Sequence, residues 1–331
     1  MRLPRHRLHP AVLAWADAHA RDRRIWGVAL SGGADSVALL LLLWAHWPKT
    51  RARLRCLHFD HALRGAASKG DARFCRLVAE GLGVRFVSES WGRPKGPRSA
   101  SEASARAARL SFLHKHASIL WLGHHQDDVA ETMLMRLARG SGTGGLSAPR
   151  PVHAHGGGQV HLRPLLTLRK AELTAALAAC GIPWREDATN ASPDFFRNRI
   201  RAEVLPAWER AAQRDAVAGA ARSRELLEED DTALEQWLEQ ARPFARNGDL
   251  LLGRLRAVPR AVRRRALQRW LQTAPWPIDI SRQAFETLLA SAERGAPTRH
   301  SLARELFGEI KAGRLFFRRG KRPGKIQRPV N

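Results

Sequence analysis

The stretch at positions 25–40, Ile-Trp-Gly-Val-Ala-Leu-Ser-Gly-Gly-Ala-Asp-Ser-Val-Ala-Leu-Leu, decides the fold of this chain. Its apolar start predicts a short strand, Ser31, Gly32 and Gly33 predict a tight turn, and the apolar residues after them predict a helix that begins near Ser36. Backbone N–H groups are unpaired at a helix N-terminus, where the helix dipole is positive. Glycines let this backbone approach a phosphate where a Cβ would clash. We therefore expect the turn to bind a nucleotide.

This turn differs from the two most familiar glycine-rich nucleotide loops. Neither G-x-x-x-x-G-K-[ST] nor G-x-G-x-x-G is present around Gly32. The Ser-Gly-Gly-x-Asp-Ser pattern resembles the PP-loop of ATP pyrophosphatases, which cleave ATP between the α- and β-phosphates. In that interpretation the turn, including Ala34, binds ATP, and Asp35 holds a Mg²⁺ ion that accompanies the phosphates. The alternative is an ordinary strand-to-helix turn that uses two glycines.

The charge of the chain favours a polyanionic partner. The 331 residues include 56 Lys and Arg against 31 Asp and Glu, which gives a formal net charge of +25. Such an excess is typical of proteins that bind nucleic acid. The alternative is a coding bias toward arginine, which does not explain the shortage of acids.

Other compositional features narrow the class of protein. No run of about 18 apolar residues is present, so we expect no membrane span. The N-terminal segment lacks the apolar core of a signal peptide, so we expect a cytoplasmic protein. Cys56, Cys75 and Cys180 are far apart and form no C-x-x-C motif, which argues against a zinc ribbon or a redox pair.

Strand-like and helix-like segments alternate over the first two hundred residues. This alternation predicts an α/β fold whose parallel sheet carries helices on both faces, with ligands at the carboxyl ends of the strands. The Gly-, Ser- and Pro-rich segment 140–158 is predicted to be a flexible loop near the active site. We predict strands at 53–59, 84–87 and 118–122, and helices at 67–82, 101–117, 127–139 and 167–180.

The alternation stops near residue 210, which predicts a second domain. Helical patterns at 226–238 and 260–271, with one or two short strands within 300–317, indicate a smaller and mainly helical unit. We therefore divide the chain into a catalytic domain, residues 1–210, and a C-terminal domain, residues 211–331.

A second polar motif follows the second predicted strand. The run His-Phe-Asp-His-Ala-Leu-Arg-Gly starts at His58 and could bind a nucleotide or a phosphate. A metal site formed by His58, Asp60 and His61 is the alternative, although the spacing matches no common zinc pattern.

A third motif, on a predicted helix, places Glu102, Arg106 and Arg109 on one face at i, i+4 and i+7. This face is either a solvated, ion-paired surface or the source of an arginine that neutralises a transferring phosphoryl group.

The run Gly-His-His-Gln-Asp-Asp-Val-Ala-Glu-Thr, which starts at Gly123, concentrates acids in the first turns of a helix. Such acids offset the helix dipole, which is their simplest role. Alternatively, Asp128 and Glu131 converge on one pocket, with His124 at its entrance, and bind a cationic substrate such as an amine. Further along, Arg197, Arg199 and Arg201 either contact phosphates or cap a domain interface, and their spacing does not choose between these roles.

Taken in order, the motifs resemble the tRNA(Ile)-lysidine synthetase family. The resemblance is close over about residues 20–210 and looser beyond, and Leu110 stands where the family usually has an aromatic residue. It implies a PP-loop fold of the adenine nucleotide α-hydrolase type. The motifs that carry it are Ser-Gly-Gly-Ala-Asp-Ser, His-Phe-Asp-His-Ala-Leu-Arg, Glu-x-x-Ala-Arg-x-x-Arg, Gly-His-His-Gln-Asp-Asp-x-x-Glu-Thr, Arg163-Pro164-Leu165-Leu166, Asp-Ala-Thr-Asn and Arg-Asn-Arg-Ile-Arg.

The resemblance implies a two-step ligation on tRNA(Ile) with a CAU anticodon. The O2 atom of the wobble cytidine attacks the α-phosphate of ATP·Mg²⁺, and L-lysine then attacks C2 of the adenylated base and expels AMP. The implied ATP-binding residues are those of the turn together with His58. The implied catalytic residues are Asp35, Arg106, Arg109, His124, Asp128 and Glu131, with the last two holding the lysine ammonium.

Three other functions remain as alternatives. A tRNA-thiolating enzyme would need paired cysteines, and a small-molecule amidating ligase would normally carry a glutaminase domain. An inactive tRNA-binding protein would not need Asp35 or Asp128. The basic clusters at 260–265 and 318–325 are either tRNA backbone contacts or a solvated surface. The oligomeric state is left open, with a homodimer as one candidate.

Overall fold

The computed structural model describes residues 3–60, 66–91, 102–186 and 195–320, with only the backbone described at 66, 67, 102 and 103. The chain forms two compact units that divide between Glu228 and Glu229. This division lies inside one long helix, Ala216–Ala241. The boundary that we predict at residue 210 precedes that helix and remains a prediction about functional domains.

The first unit is built on a six-stranded sheet in the order β3-β2-β1-β4-β6-β5. Neighbouring strands are parallel except β5 and β6, which pair antiparallel at one edge. The predicted parallel sheet is confirmed. Our prediction of a loop at 140–158 is wrong, because that segment contains a short helix and β5. The strands are β1 Trp26–Ala29, β2 Leu54–Asp60, β3 Arg85–Ser90, β4 Ile119–Trp121, β5 Val152–Ala154 and β6 Val160–Leu162.

Helices cover both faces of this sheet. A π-helical turn, Ile200–Val204, lies between α8 and α9. The helices that lie in or begin in this unit are α1 Pro10–Ala18, α2 Ala34–His46, α3 Ala66–Gly81, α4 Glu102–His116, α5 Gln126–Leu137, α6 Thr143–Leu146, α7 Lys170–Ala178, α8 Phe196–Arg199, α9 Leu205–Ala212 and α10 Ala216–Ala241.

Strand β1 shows why its sequence is apolar throughout. Successive strand residues point to opposite faces of a sheet, so a strand with helices on both sides is buried along its whole length. Trp26 and Val28 lie in the cluster that contains the apolar side of α2. Ala29 lies in a second cluster, with Phe112 and Leu113 of α4.

The second unit combines helices with an antiparallel sheet. Its strands are ordered β7-β10-β9-β8, and its core includes Trp270, Leu288 and Leu315. Three strands span the segment where we expected one or two, so the sheet is more extensive than predicted. Within the described residues, no helix has both the length and the apolar content needed to cross a membrane. The elements are α11 Arg260–Gln272, α12 Arg282–Arg294, β7 Leu250–Leu251, β8 Thr298–Ala303, β9 Leu306–Lys311 and β10 Arg314–Arg319.

Candidate active site

The turn between β1 and α2 has the geometry that its sequence predicts. Gly32 has a φ of +91°, and a Cβ built there would lie 3.3 Å from Cys75 Sγ. The Ser36 hydroxyl donates to the Gly33 carbonyl at 2.9 Å and accepts the Ser31 N–H at 3.2 Å. The turn is therefore closed by its own hydroxyl groups, and a side chain at Gly32 would be both strained and tightly packed.

Two neighbouring segments hold this turn in place. The Arg185 N–H donates to the Gly32 carbonyl at 2.9 Å, and the Arg185 Nε donates to Asp71 Oδ1 at 2.9 Å. On the other side, a Cβ at Gly123 would lie 3.1 Å from the Asp35 carbonyl carbon and oxygen. Only glycine lets the segment after β4 pass so close to the first turn of α2.

His58 lies at the carboxyl end of β2, beside the turn. Its ring is 5% exposed, and Nδ1 lies 2.9 Å from the Leu30 carbonyl, to which it donates. The segment 61–65, which includes His61, lies outside the described residues, so the alternative metal site there stays untested. Across the described ranges, no group of three or more His, Cys, Asp or Glu side chains is arranged to hold a metal ion.

Asp35 presents a carboxylate oxygen that is available to a ligand. Its Oδ1 is buried and has no hydrogen-bond partner in the part of the chain that the structure describes. Its Oδ2 lies 3.6 Å from His125 Nε2. A buried carboxylate oxygen without a partner is costly in the free protein. It fits Mg²⁺, which takes one or two protein carboxylates and completes its shell with phosphates and water.

His125 is the site residue that our sequence reasoning missed. Its side chain is 3% exposed and lies 3.2 Å from the Asp127 carboxylate and 3.5 Å from that of Asp128. Burial favours the neutral ring, but the carboxylates of Asp127, Asp35 and Asp128 outweigh it and raise the pKa of His125 to about 10. The ring is therefore an imidazolium at neutral pH. The His-His pair in the sequence was the available signal, and we assigned the role to its first member.

Asp128 and Glu131 do converge, as their spacing predicts, but two arginines meet them there. Glu131 is 0% exposed. Arg197 Nε donates to Glu131 Oε2 at 2.6 Å and Arg201 Nε to Glu131 Oε1 at 2.6 Å. Arg197 Nη2 also donates to Asp128 Oδ1, at 2.5 Å. The sequence left Arg197 and Arg201 unassigned, and the structure pairs both with the acidic helix.

Apolar packing brings the two arginines to these acids. Ala130 and Met133 of α5 share a cluster with Ile200, which stands between Arg197 and Arg201 in the chain. Arg197 and Arg201 are four residues apart, so both lie on the helical side that faces Glu131. The neighbouring segment 187–194, which contains the Asp-Ala-Thr-Asn motif, lies outside the described residues.

Asp127 has a structural role that differs from that of Asp128. Its Oδ2 accepts the Lys170 N–H at 2.8 Å, and its Oδ1 accepts from Arg169 Nε at 3.2 Å. Although burial favours the neutral acid, the adjacent His125 imidazolium and the hydrogen bond from the Lys170 N–H lower the pKa of Asp127. For Asp128, burial dominates over the nearby cations and raises the pKa. Asp127 thus fixes the start of α7, whereas Asp128 is the carboxylate more readily protonated.

His124 is surrounded by cations. Burial, and then the charges of Arg163, Arg197, Arg109 and Arg106, hold the pKa of His124 well below its usual value. Its Nδ1 accepts a hydrogen bond from Arg163 Nε at 3.3 Å. The neutral ring therefore carries its proton on Nε2, where it can donate. Burial and the charge of Arg106 also lower the pKa of Arg109.

The arginines at 260–265 contact acids of their own unit. Arg260 and Arg264 pair with Glu286 of α12, and Arg265 pairs with Asp231 and Glu235. These pairs favour the solvated, ion-paired interpretation of this cluster. Lys321, Arg322 and Lys325 lie outside the described residues.

Comparison with known proteins adds a family relationship to this geometry. The PP-loop domain model ATP_bind_3 matches residues 9–208. The tRNA(Ile)-lysidine synthase of Gloeobacter violaceus is 35% identical over 297 residues, which cover 85% of this chain and 88% of that protein. The enzyme of the same name from Geobacter sulfurreducens is 38% identical over 273 residues, covering 78% of this chain and 56% of that protein. The chain spans about half the length of several of its curated relatives.

A solved structure supports the fold. The U34-tRNA thiolase NcsA from Methanococcus maripaludis matches with a TM-score of 0.51 and 16% identity, over 66% of this chain and 79% of that chain. At this identity the likeness concerns the arrangement of strands and helices alone.

Proposed function

The chain belongs to the tRNA(Ile)-lysidine synthase family of PP-loop proteins, and we propose that it is an ATP-dependent ligase that forms lysidine on tRNA(Ile) with a CAU anticodon. In the first step, O2 of the wobble cytidine attacks the α-phosphorus of ATP and pyrophosphate leaves. In the second step, the ε-amine of L-lysine attacks C2 of the adenylated base and AMP leaves. The observation that carries this proposal is the contact of the PP-loop turn with the acidic helix α5 through His125.

ATP binds, in this proposal, at the start of α2. The N–H groups of the turn and the helix dipole meet its phosphates. Asp35, with its unpartnered Oδ1, is the residue that would hold Mg²⁺. When bound, Mg²⁺ would neutralise charge on the departing pyrophosphate. His58 fixes the Leu30 carbonyl beside the nucleotide.

Arg106, Arg109 and His124 act on the transferring phosphoryl group. Neither arginine has a carboxylate partner among the described residues, and in this proposal both meet the anionic transition state. Neutral His124 donates from Nε2 to the phosphoryl group. Because its pKa is low, the ring stays uncharged and adds no further positive charge to a region that already holds several arginines. Glu102 is the predicted partner of Arg106, but its side chain lies outside the described part of the chain.

The lysine amine meets Asp128 and Glu131. Both carboxylates are already bound by Arg197, whose side chain is 36% exposed, so the ammonium exchanges with this arginine. Arg201 keeps its own contacts with Glu131 during the exchange. The raised pKa of Asp128 suits it to accept the proton that the amine must lose before it attacks C2.

The tRNA is held mainly through its phosphates. A formal net charge of +25 supports this mode of binding and makes it sensitive to salt. The wobble cytidine must also leave the anticodon stack to expose its O2. A cytoplasmic location follows from this substrate, and a homodimer stays a prediction.

The buried cysteines weigh against the tRNA-thiolating alternative. Cys56 and Cys75 are buried, and burial raises the pKa of each thiol to about 12. Such thiols are almost entirely protonated at neutral pH and are poor nucleophiles. Cys180 is exposed and follows α7, with no second cysteine beside it in the sequence.

One assay tests the proposed function. The protein is incubated with ATP, Mg²⁺, labelled lysine and tRNA(Ile) carrying the CAU anticodon, with a wobble-uridine tRNA as the control acceptor. We expect label in the first tRNA only, with pyrophosphate and AMP released in equal amounts. Asp35→Asn should abolish pyrophosphate release, whereas the matched Asp22→Asn, which loses only a pair with Arg24, should not. Pyrophosphate release without any labelled tRNA would overturn the lysidine assignment.

A further inference from the structure

Arg163 is a buried cation with no carboxylate partner in the part of the chain that the structure describes. It is 8% exposed and follows β6 at the carboxyl edge of the sheet. Its Nη1 donates to the Arg150 carbonyl at 2.7 Å, and its Nε donates to His124 Nδ1 at 3.3 Å. Both acceptors are neutral, and no carboxylate of the described residues pairs with Arg163. A buried guanidinium in such surroundings is stabilised when an anion binds beside it.

The nearest charges around Arg163 increase this demand for an anion. Burial and the positive charge of Arg106 lower the pKa of Arg163 to about 10. Arg106 also lowers the pKa values of Arg109 and Arg136, in each case second to burial. Arg136 donates to the Gly145 carbonyl, and it too has no carboxylate partner in the described ranges. The arginines of α4, the end of α5 and the end of β6 therefore form a cluster of positive charge.

The strand order indicates which substrate meets this cluster of positive charge. The PP-loop follows β1, and His58 lies on β2, so the ATP site extends toward that half of the sheet. Arg163 follows β6, which lies two strands from β1 on the opposite side, beyond β4. A second phosphate-bearing substrate approaching from this side would meet Arg163 before it meets the PP-loop.

We propose that Arg163, with Arg106 beside it, binds a backbone phosphate of the RNA nucleotide that enters the active site, an inference that rests on the proposed function. The guanidinium meets the phosphate as a charge-assisted donor. Because Arg163 also contacts His124, RNA bound to Arg163 is coupled to the histidine that we assign to the phosphoryl transfer. Arg163 is thus a positioning residue for the acceptor nucleotide.

The test is a double-mutant cycle between protein and RNA. A CAU anticodon stem–loop is prepared in its native form and with a methylphosphonate, which carries no charge, on each phosphate flanking the cytidine in turn. Binding to wild type and to Arg163→Met is measured without ATP and lysine. We expect Arg163→Met to weaken binding of the native RNA about tenfold, as loss of a charged hydrogen bond does. A methylphosphonate at one of the two positions should weaken RNA binding by the wild type by the same factor. It should leave RNA binding by Arg163→Met unchanged.

A control variant and a second substitution complete the design. Arg51 donates to the Trp44 carbonyl and precedes β2, which lies on the other side of β1 from β6, so Arg51→Met should bind RNA like wild type. Arg163→Lys keeps the charge and should retain part of the coupling, which separates a phosphate contact from misfolding of the Met variant.

The possible outcomes have separate meanings. Additive losses for protein and RNA changes would overturn the phosphate contact, as would unchanged RNA binding by Arg163→Met. Absence of coupling to either RNA phosphate, together with weaker ATP binding by Arg163→Met in a separate ATP titration, would assign the arginine cluster to the polyphosphate of ATP instead. This binding assay measures no catalysis, so it is independent of the ligation assay. If the coupling between Arg163 and the phosphate is present but the ligation assay forms no lysidine, the proposed function is refuted and the phosphate contact is still supported.

Discussion

The imidazole of His125 lies 3.6 Å from the carboxylate of Asp35, and this contact joins the segment after β4 to the first turn of α2. The same ring also contacts Asp127 and Asp128. One buried cation therefore links the residue that we assign to Mg²⁺ with the acid that we assign to lysine. This ion pair adds to the backbone pairing of β1 with β4 in holding the two halves of the site together.

His125→Gln should lower the free energy of unfolding at neutral pH. It should also make that free energy depend less on pH in the alkaline range. The folded-state pKa of His125 is raised to about 10, so its stabilisation is complete below about pH 6.5 and is lost as the pH rises through about 10. We expect a loss on the order of 3 kcal/mol at pH 7. Urea unfolding at pH 6, 8 and 10 measures it. The exposed His6→Gln is the control, and parallel curves for wild type and His125→Gln would contradict the prediction.

A glycine pair tests the turn. Gly32→Ala is unfavourable for two reasons: the residue has a φ of +91°, and its Cβ would lie 3.3 Å from Cys75 Sγ. We expect a loss of about 1–2 kcal/mol of stability. At Gly33 the φ is −68° and a Cβ would meet Ser31 Oγ at 3.6 Å, so Gly33→Ala should fold normally. Thermal unfolding and ATP titration distinguish the two variants. Equal stability of both would show that the turn tolerates a side chain at Gly32.

Glu131→Gln should affect both stability and the second half-reaction. It leaves Arg197 and Arg201 beside each other without their shared carboxylate. Because both arginines are about one-third exposed, we expect a loss of about 2 kcal/mol rather than the roughly 3–5 kcal/mol of a fully buried pair. Lysine transfer should fall more than tRNA adenylation, as separate assays of pyrophosphate and labelled tRNA would measure. Equal losses in both half-reactions would remove Glu131 from the amine pocket, and Glu89→Gln, at an exposed pair with Lys115, is the control.

A chain of histidines predicts loss of stability in acid. His161 Nε2 lies 2.8 Å from His114 Nε2, and His161 Nδ1 lies 3.0 Å from His155 Nε2. Burial, with the charges of His155 and Arg163, lowers the pKa of His161 to about 3. The unfolded chain binds a proton below about pH 6.5, so this contribution is lost as the pH falls from 6.5 toward 3. We expect a loss on the order of 2 kcal/mol by pH 5. Between pH 7 and pH 4.5, the melting temperature should fall less for His161→Gln than for the wild type. An equal fall in both proteins would show that His161 is not the source of the acid sensitivity.

Local patterns predicted most of the first unit. The alternation of apolar strands and helices, with two glycines at the first turn, was sufficient for the parallel sheet and the PP-loop. The spacing of Asp128 and Glu131 on one helix was sufficient to bring their side chains together. The edge strand β5 and its neighbour β6 were missed because each has only three residues, in a segment rich in glycine and proline. The sheet of the second unit was underestimated because its strands are short and carry charged residues on the exposed face.

What the sequence determined by itself is the chemistry carried within single elements: a glycine turn ready for phosphate, an acidic first helical turn and a strong positive charge. Only the tertiary structure decided which of these groups meet. Arg197 lies 66 positions after Glu131, and Arg163 lies 39 after His124, yet each pair is in contact. Such contacts depend on strand order and on the packing of α5 against Ile200. Periodicity records which side of an element is buried, but not which neighbour covers it, so the charge balance of the site could be known only from the fold.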